Sequence, residues 1–265
     1  MIKKFQRHPF HMVSPSPWPL YTSLALFSLT TSGVLYLHGF YNIIIIFFFS
    51  LLSLNLSMFF WFRDIYAEST YLGNHTYAVQ RGLNIGVGLF IVSEALFFLG
   101  IFWTFFHSSL SPNIELGTNW PPMGIQAINP FELPLLNTIL LLSSGTTVTY
   151  AHHSVIQGNR KGALYGLIST IIFAAFFTLF QIIEYNVSSF TISDSVYGSC
   201  FYFGTGFHGL HVIIGTIFLL IGLWGLYAYL LTDHHHVGLE SGILYWHFVD
   251  VVWILLYISF YFWGF

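Results

Sequence analysis

Seven long apolar segments with almost no charged residues limit what this chain can fold into. A helix needs about 20 consecutive, mostly apolar residues to cross the hydrocarbon core of a bilayer. Only 6% of the residues are charged, whereas about a quarter are charged in a soluble globular domain. The sequence therefore predicts an all-α membrane protein with seven transmembrane helices. Their predicted ranges are residues 18–38, 42–62, 82–107, 134–151, 162–183, 196–228 and 241–263.

The first two segments are counted separately because the uncharged stretch that contains them is too long for one crossing. Residues 9–62 contain no Lys, Arg, Asp or Glu, and a helix rises only about 1.5 Å per residue. Two crossings joined by a turn at residues 39–42 fit this length. The predicted units are a tail with a two-helix bundle over residues 1–62, a loop over 63–81, and a five-helix bundle over 82–265 that includes an opposite-side loop over 108–133.

All basic residues fall on one side of the membrane when seven spans are counted. The positive-inside rule then places the N-terminus on the side of synthesis and the C-terminus on the opposite side. Residues 1–17 lack the apolar core and the cleavage site of a signal peptide, so we expect insertion without a cleaved leader. The basic residues are Lys3, Lys4, Arg7, Arg63, Arg81, Arg160 and Lys161.

The third apolar segment contains a single carboxylate, Glu94, near its middle. An ionisable residue at that depth costs several kcal/mol by insertion scales, so it is a functional-site hypothesis by default. Its neighbours one helical turn away are Phe90, Ile91, Phe97 and Phe98. They offer no counter-charge, and loss of hydration favours the protonated acid. We predict a buried, neutral carboxyl group.

Thirteen histidines make a metal site the next hypothesis to test. The sequence contains no HExxH helix of the zinc-protease type and no HxxHH box of the membrane iron hydroxylases, so we predict no metal site. Residues three apart share a helix face. His208 with His211, and His247 with Asp250, are therefore predicted to form a structural polar cluster that supplies hydrogen bonds between helices.

The most charged predicted loop, residues 63–81, supports two hypotheses. Its basic residues can serve only the topology rule, or they can pair with anionic lipid head groups. Trp61 followed by Arg63 at the end of a span has the form expected for lipid binding. The net charge of −3 is too small to suggest a nucleic-acid partner.

Several polar motifs in fixed order resemble a known family. They include WFRDIYAEST, LFIVSEALFF, HSSLSP, WPPMGI, TGFHGLHVIIGTIFL and YWHFVDVVW, and they run through nearly the whole chain. A generic membrane helix would not keep these polar residues. On these motifs the sequence resembles cytochrome c oxidase subunit III.

The resemblance implies a seven-helix core subunit of a proton-pumping oxidoreductase, respiratory complex IV, with helices 1–2 separated from helices 3–7 by a lipid-filled V-shaped cleft. It implies a multi-pass protein of the mitochondrial inner membrane, with the N-terminus in the matrix and the C-terminus toward the intermembrane space. The expected partners are subunits I and II, accessory subunits and phospholipids, alone or within a respiratory supercomplex. Haem a, haem a3, CuA and CuB are expected in subunits I and II, and this chain is expected to carry no cofactor and no catalytic residue.

The resemblance also implies roles for individual residues. Glu94 matches a family carboxyl group that reacts with hydrophobic carbodiimides. Residues in the segments that match the lipid-binding region are Trp61, Arg63, Glu68, His75 and Phe90. The family often has basic residues near the end of the sixth helix, whereas GLWGLYAYLLTDHHH has no Lys or Arg there. The head-group contact that these basic residues imply for the family is therefore not expected in this chain.

Two other classes of protein remain alternatives at this point. A transporter or channel would need ionisable groups on several helices facing one pathway, whereas only Glu94 and Asp250 are expected well inside the predicted spans. A membrane iron hydroxylase would need the histidine boxes that the sequence lacks.

Overall fold

The computed structural model describes residues 8–265, so the basic residues Lys3, Lys4 and Arg7 lie outside the described part of the chain. Seven long α-helices occur in residues 8–265, and no β-strand occurs there. This confirms the predicted all-α fold. The helices are α1 Trp18–Leu37, α2 Ile44–Thr70, α3 Tyr77–Leu110, α4 Leu133–Ile156, α5 Arg160–Val187, α6 Ser195–Tyr227 and α7 Val237–Leu256, which continues as a π-helical turn, Tyr257–Phe262.

Six of these helices are long and apolar enough to cross a membrane by length and composition alone. The exception is α4, which is rich in Ser, Thr, Asn and His. Its buried polar side chains include Asn137 and Ser144, which are fully shielded from solvent by the other helices of its unit. A polar helix is stable there because each hydroxyl or amide can bond to the backbone or to a neighbouring helix.

The chain divides into two compact units, Met1–Leu83 and Asn84–Phe265. The first unit, the helix pair, consists of α1, α2 and the start of α3. Its two long helices are joined by a turn in which Gly39 has φ +92°, a left-handed conformation that glycine adopts without steric cost. The turn lies where the sequence predicts it.

Small and hydroxyl-bearing residues form the contact between α1 and α2. Thr22 donates a hydrogen bond to Ser57 at 3.1 Å, and the hydroxyls of Ser28 and Ser50 lie 2.7 Å apart. The buried residues of these two helices are Ala25, Ser32, Ser50 and Ser57. Small residues let helix backbones approach closely in a membrane, where no hydrophobic effect drives helices together.

The predicted loop over residues 63–81 is wrong for most of its length. Helix α2 continues to Thr70 and α3 begins at Tyr77, so only residues 71–76 connect them. The charged residues remain helical because their side chains find partners on the surface of the unit. Arg63 binds Asp64 at 2.8 Å, and the indole of Trp18 donates to Asp64 at 2.6 Å.

The second unit, the five-helix unit, has its own aromatic core. Trp246, Trp253, Phe177 and Phe105 are almost completely buried. Helices α4 and α5 are in close contact at Gly166, where an added Cβ would lie 2.9 Å from the carbonyl oxygen of Thr147. A larger residue cannot occupy that position without separating the two helices.

Indole groups join α7 to α4. Trp246 donates to the hydroxyl of Ser144 at 2.9 Å, and Trp253 donates to the hydroxyl of Thr138 at 3.0 Å. Each bond satisfies a buried donor that would otherwise be costly in a dry core.

Arg160, at the start of α5, joins that helix to the end of α6. Its guanidinium donates to the carbonyl oxygens of Leu226 and Tyr227, at 3.2 and 2.8 Å, and lies 3.7 Å from the centroid of the Tyr229 ring. These contacts satisfy two carbonyls at the end of α6, which have no partner within that helix.

Candidate functional site

The carboxyl group of Glu94 on α3 has a partner that its own helix does not supply. The Nε2 atom of His211 on α6 lies 3.1 Å from Glu94 Oε2. The side chain of His211 is 6% exposed and that of Glu94 is 23% exposed. Glu94 is therefore less buried than predicted, and the pair links two helices of the five-helix unit.

The contact made by His211 Nδ1 indicates where the protons of the Glu94–His211 pair lie. His211 Nδ1 lies 2.8 Å from the carbonyl oxygen of Phe207, and a carbonyl only accepts, so Nδ1 must carry a hydrogen. One proton must then lie between Nε2 and Glu94, either on the acid or on a cationic imidazole. In both cases the pair as a whole has no net charge.

Aromatic rings surround this pair. The ring of His211 contacts those of Phe98 and Phe207, with centroids 5.2 and 4.6 Å apart, and stacks on Tyr245 at 6.0 Å. Charges that remain separated would be poorly solvated among such rings. The site is thus suited to hold one proton within a neutral pair.

The four residues of the predicted polar cluster contact different partners. His208 is fully buried, and its Nε2 donates to the carbonyl of Val249 at 3.2 Å, which joins α6 to α7. His211 pairs with Glu94 as described. His247 and Asp250 are 3.9 Å apart, which is beyond hydrogen-bond distance. The structure does not bring all four together.

His247 and Asp250 both face α4. His247 Nε2 lies 3.4 Å from the hydroxyl of Thr149. A Cβ added to Gly145 would lie 2.7 Å from Asp250 Oδ2, so glycine at this position makes room for the buried carboxyl group. A structural role for these two residues, in the contact between α7 and α4, stays a prediction.

Sequence reasoning missed Glu184, because the predicted fifth span ended one residue earlier. Glu184 lies inside α5 and is only 3% exposed. Its Oε1 accepts from the hydroxyl of Tyr261 at 2.6 Å and from Gln181 at 3.3 Å, and Gln181 in turn lies 3.4 Å from Asn137. The spacing of Gln181 and Glu184, three residues apart on an apolar helix, was the signal available in the sequence.

Four of the five lipid-binding candidates lie in the helix pair. Trp61 and Arg63 lie in the second half of α2, Glu68 lies near its end, and His75 lies in the connection that follows. Phe90 lies on α3 in the five-helix unit, where it stacks on Tyr245 at 6.3 Å. Of the two charged candidates, Arg63 is the more accessible, with a side chain that is 57% exposed against 19% for Glu68.

A third histidine-containing group occurs near the end of α2. The ligand atoms of His11, Glu68 and His75 all lie within 4.8 Å of one another. Sequence reasoning did not connect them, because His11 precedes the first helix. No local spacing relates it to the other two.

A family model and curated relatives identify the family. The model described as cytochrome c oxidase subunit III matches residues 8–265. A protein named cytochrome c oxidase subunit 3 from Trichophyton rubrum is 72% identical, over 98% of this chain and 97% of the relative. The proteins of that name from Emericella nidulans and Rhizopus stolonifer are 70% and 56% identical, over 99% and 100% of this chain and 98% and 94% of the relatives. The chain therefore belongs to the cytochrome c oxidase subunit III family.

Proposed function

We propose that this chain, as subunit III of cytochrome c oxidase, is a non-catalytic core subunit of respiratory complex IV. The observation that carries the proposal is the match to relatives of that name over nearly the whole chain. In this proposal haem a, haem a3, CuA and CuB lie in subunits I and II and transfer electrons from cytochrome c to oxygen. This chain packs on subunit I, binds phospholipid and supports proton uptake and turnover stability.

The proposed location is the mitochondrial inner membrane, with the N-terminus in the matrix and the C-terminus toward the intermembrane space. The four described basic residues support this orientation. Arg63 and Arg81 flank the connection between α2 and α3, and Arg160 and Lys161 begin α5. Such residues favour the side of the membrane on which the chain is made.

Arg63 has the contacts expected of a residue that binds a lipid phosphate. Its Nε and Nη2 both donate to Asp64 Oδ1, at 3.1 and 2.8 Å, and Asp64 is itself held by Trp18. A guanidinium has five N–H donors. The remaining donors are therefore oriented by a fixed carboxylate while the group stays exposed, and Arg binds phosphate through such paired donors.

Glu94 and His211 are proposed to form a neutral acid and a neutral imidazole. Two desolvated charges in apolar surroundings are costly even when paired, and a proton on Glu94 avoids both. A protonated carboxyl that is 23% exposed is also the species that a hydrophobic carbodiimide would attack. The hydrogen bond between Glu94 and His211 therefore stabilises the contact between α3 and α6 without a further acidic residue.

Dissociating this chain from the purified oxidase tests its non-catalytic role. We expect the remaining complex to keep its full haem and copper content and to oxidise cytochrome c, with faster inactivation during turnover. Iron or copper that leaves in stoichiometric amount with this chain contradicts the proposal.

The lipid contact is tested with Arg63→Gln in the assembled oxidase. We expect fewer retained phospholipids per complex by mass spectrometry, because the amide keeps the approximate length of the side chain but loses the charge. Arg81→Gln, which removes another exposed basic residue of the helix pair, is the control. An equal loss in both variants indicates a general effect of charge, and no loss with Arg63→Gln removes this residue from the site.

A further inference from the structure

Three side chains of metal-ligand type meet in the helix pair although they come from separate segments. His11 precedes α1, Glu68 lies near the end of α2, and His75 lies between α2 and α3. His11 Nδ1 is 3.9 Å from Glu68 Oε2, and the rings of His11 and His75 are 6.2 Å apart. All three ligand atoms lie within 4.8 Å of one another.

Contacts around the group keep these segments together. The hydroxyl of Thr76 donates to the carbonyl oxygen of Pro9, which joins the segment before α1 to the α2–α3 connection. Gln80 Nε2 donates to the carbonyl oxygen of His75 at 2.9 Å. The backbone on both sides of the group is thus positioned by bonds that do not use the three ligand atoms.

The group is also shielded in a way that a chance surface cluster is not. The side chains of His11 and Glu68 are only 13% and 19% exposed. Their separation is too long for a direct hydrogen bond, so the carboxylate and the imidazole do not satisfy each other. A carboxylate and two imidazoles whose ligand atoms lie within 4.8 Å of one another are a set suited to a cation.

The geometry needs little adjustment to hold an ion. Zinc binds His nitrogen and carboxylate oxygen at about 2.0–2.2 Å in a tetrahedral arrangement, which places neighbouring ligand atoms about 3.4 Å apart. The three atoms already lie within 4.8 Å of one another, so binding requires neighbouring ligand atoms to approach by at most about 1.4 Å. Two imidazoles and one carboxylate also suit zinc better than magnesium or calcium, which take oxygen ligands.

We propose that His11, Glu68 and His75 form a binding site for one divalent ion of the zinc class. Three protein ligands leave a position for water. The ion has no redox role, and it fixes the segment before α1 to the α2–α3 connection. This site departs from the expectation, drawn from the sequence alone, that the chain has no metal ligands.

The site is distinguishable from the proposed lipid contact because His11 is not a lipid-binding candidate. His11→Gln, Glu68→Gln and His75→Gln are each compared with the wild type in the assembled oxidase. His38→Gln is the matched control, since His38 is an exposed histidine of the same unit. Bound zinc is measured per complex after equilibration with Zn²⁺ and removal of loosely bound ions.

We expect each of the three variants to lose one zinc equivalent or to bind it at least about tenfold more weakly, since even changes to groups that support a ligand cost about 10–100-fold. His38→Gln should match the wild type. His11→Gln should lose zinc while keeping the full phospholipid content, which separates this proposal from lipid binding. Equal zinc content in all four variants and the wild type overturns the proposal.

If the variants fail to assemble, the site can still be tested in the wild type alone. Cd²⁺, a zinc substitute with strong anomalous scattering, is soaked into crystals of the oxidase. An anomalous peak between the three side chains supports the site. A map in which cadmium occupies other positions but not this one contradicts it.

Discussion

The helix pair and the five-helix unit use different means to hold helices together. In α1 and α2 only 11% of the residues in the most apolar window are buried within the protein, whereas 56% are buried in α7. The pair is joined by hydroxyl groups and small residues. The five-helix unit adds buried indoles, a glycine contact and an aromatic core.

This difference shows how much each unit depends on its surroundings. The helix pair has few buried residues in α1 and α2, so few internal contacts fix its geometry. The five-helix unit contains buried hydrogen bonds between its own helices, such as those of Trp246 with Ser144 and Tyr261 with Glu184, so changes inside it should cost more.

The largest effect is expected for Gly166→Leu. The added side chain would meet the backbone of α4, where a Cβ alone already lies 2.8 Å from Ala151 Cβ, so we expect a loss of about 3 kcal/mol or more. The subunit should be reduced or absent in the assembled complex on native gels. Gly86→Leu is the control, because nothing lies within 4 Å of its Cβ position. A stable complex carrying Gly166→Leu would mean that α4 and α5 are not closely packed.

A smaller loss is expected for Trp246→Phe. This change removes the bond to Ser144, whose hydroxyl keeps its bond to the carbonyl oxygen of Leu141, and a lost hydrogen bond typically costs about 0.5–1.5 kcal/mol. The loss of buried volume adds to that cost. The thermal midpoint of the complex should fall. Trp103→Phe removes an indole that is 72% exposed and should leave the midpoint unchanged. Equal shifts of the thermal midpoint in the two variants would contradict a stabilising role for the bond between α7 and α4.

Ser28→Ala tests the helix pair. It removes the contact with Ser50, and hydrogen bonds between membrane helices average about 0.6 kcal/mol. We expect a shift in the thermal midpoint well below that of Trp246→Phe. A shift as large as that of the indole variant would show that the pair is held by its own contacts, against the comparison drawn above.

The smallest effect on assembly is expected for Glu94→Gln. The amide can donate to His211 Nε2 as the protonated acid does, so the complex should assemble and transfer electrons normally. In the infrared spectrum the variant should lack the carbonyl band of one protonated carboxyl group. Loss of a carboxylate band instead would show that the native pair is an ion pair. Loss of the assembled complex would contradict the expectation that the amide can replace the protonated acid.

The helices could be predicted from the sequence, but their ends and their contacts could not. The length of each apolar segment predicts a transmembrane helix, because a helix must be about 20 mostly apolar residues long to cross the hydrocarbon core of the bilayer. The end of α2 differs from the prediction because a charged residue such as Asp64 stays helical when a partner from another segment, here Trp18, donates a hydrogen bond to it. Local spacing gave the face shared by His208 and His211, whereas the Glu94 contact joins residues 117 positions apart. Such a contact depends on how α3 packs against α6, which no local pattern encodes.

Arg160 has a consequence for the order of events during synthesis. The carbonyls that it binds lie 66 and 67 positions later in the chain, so they do not exist when α5 enters the membrane. The contact can form only after α6 has crossed and its last turn has returned to the same side. The hydrogen bonds of Arg160 therefore form only when both α5 and α6 are complete. A chain that stops inside α6 would lack them.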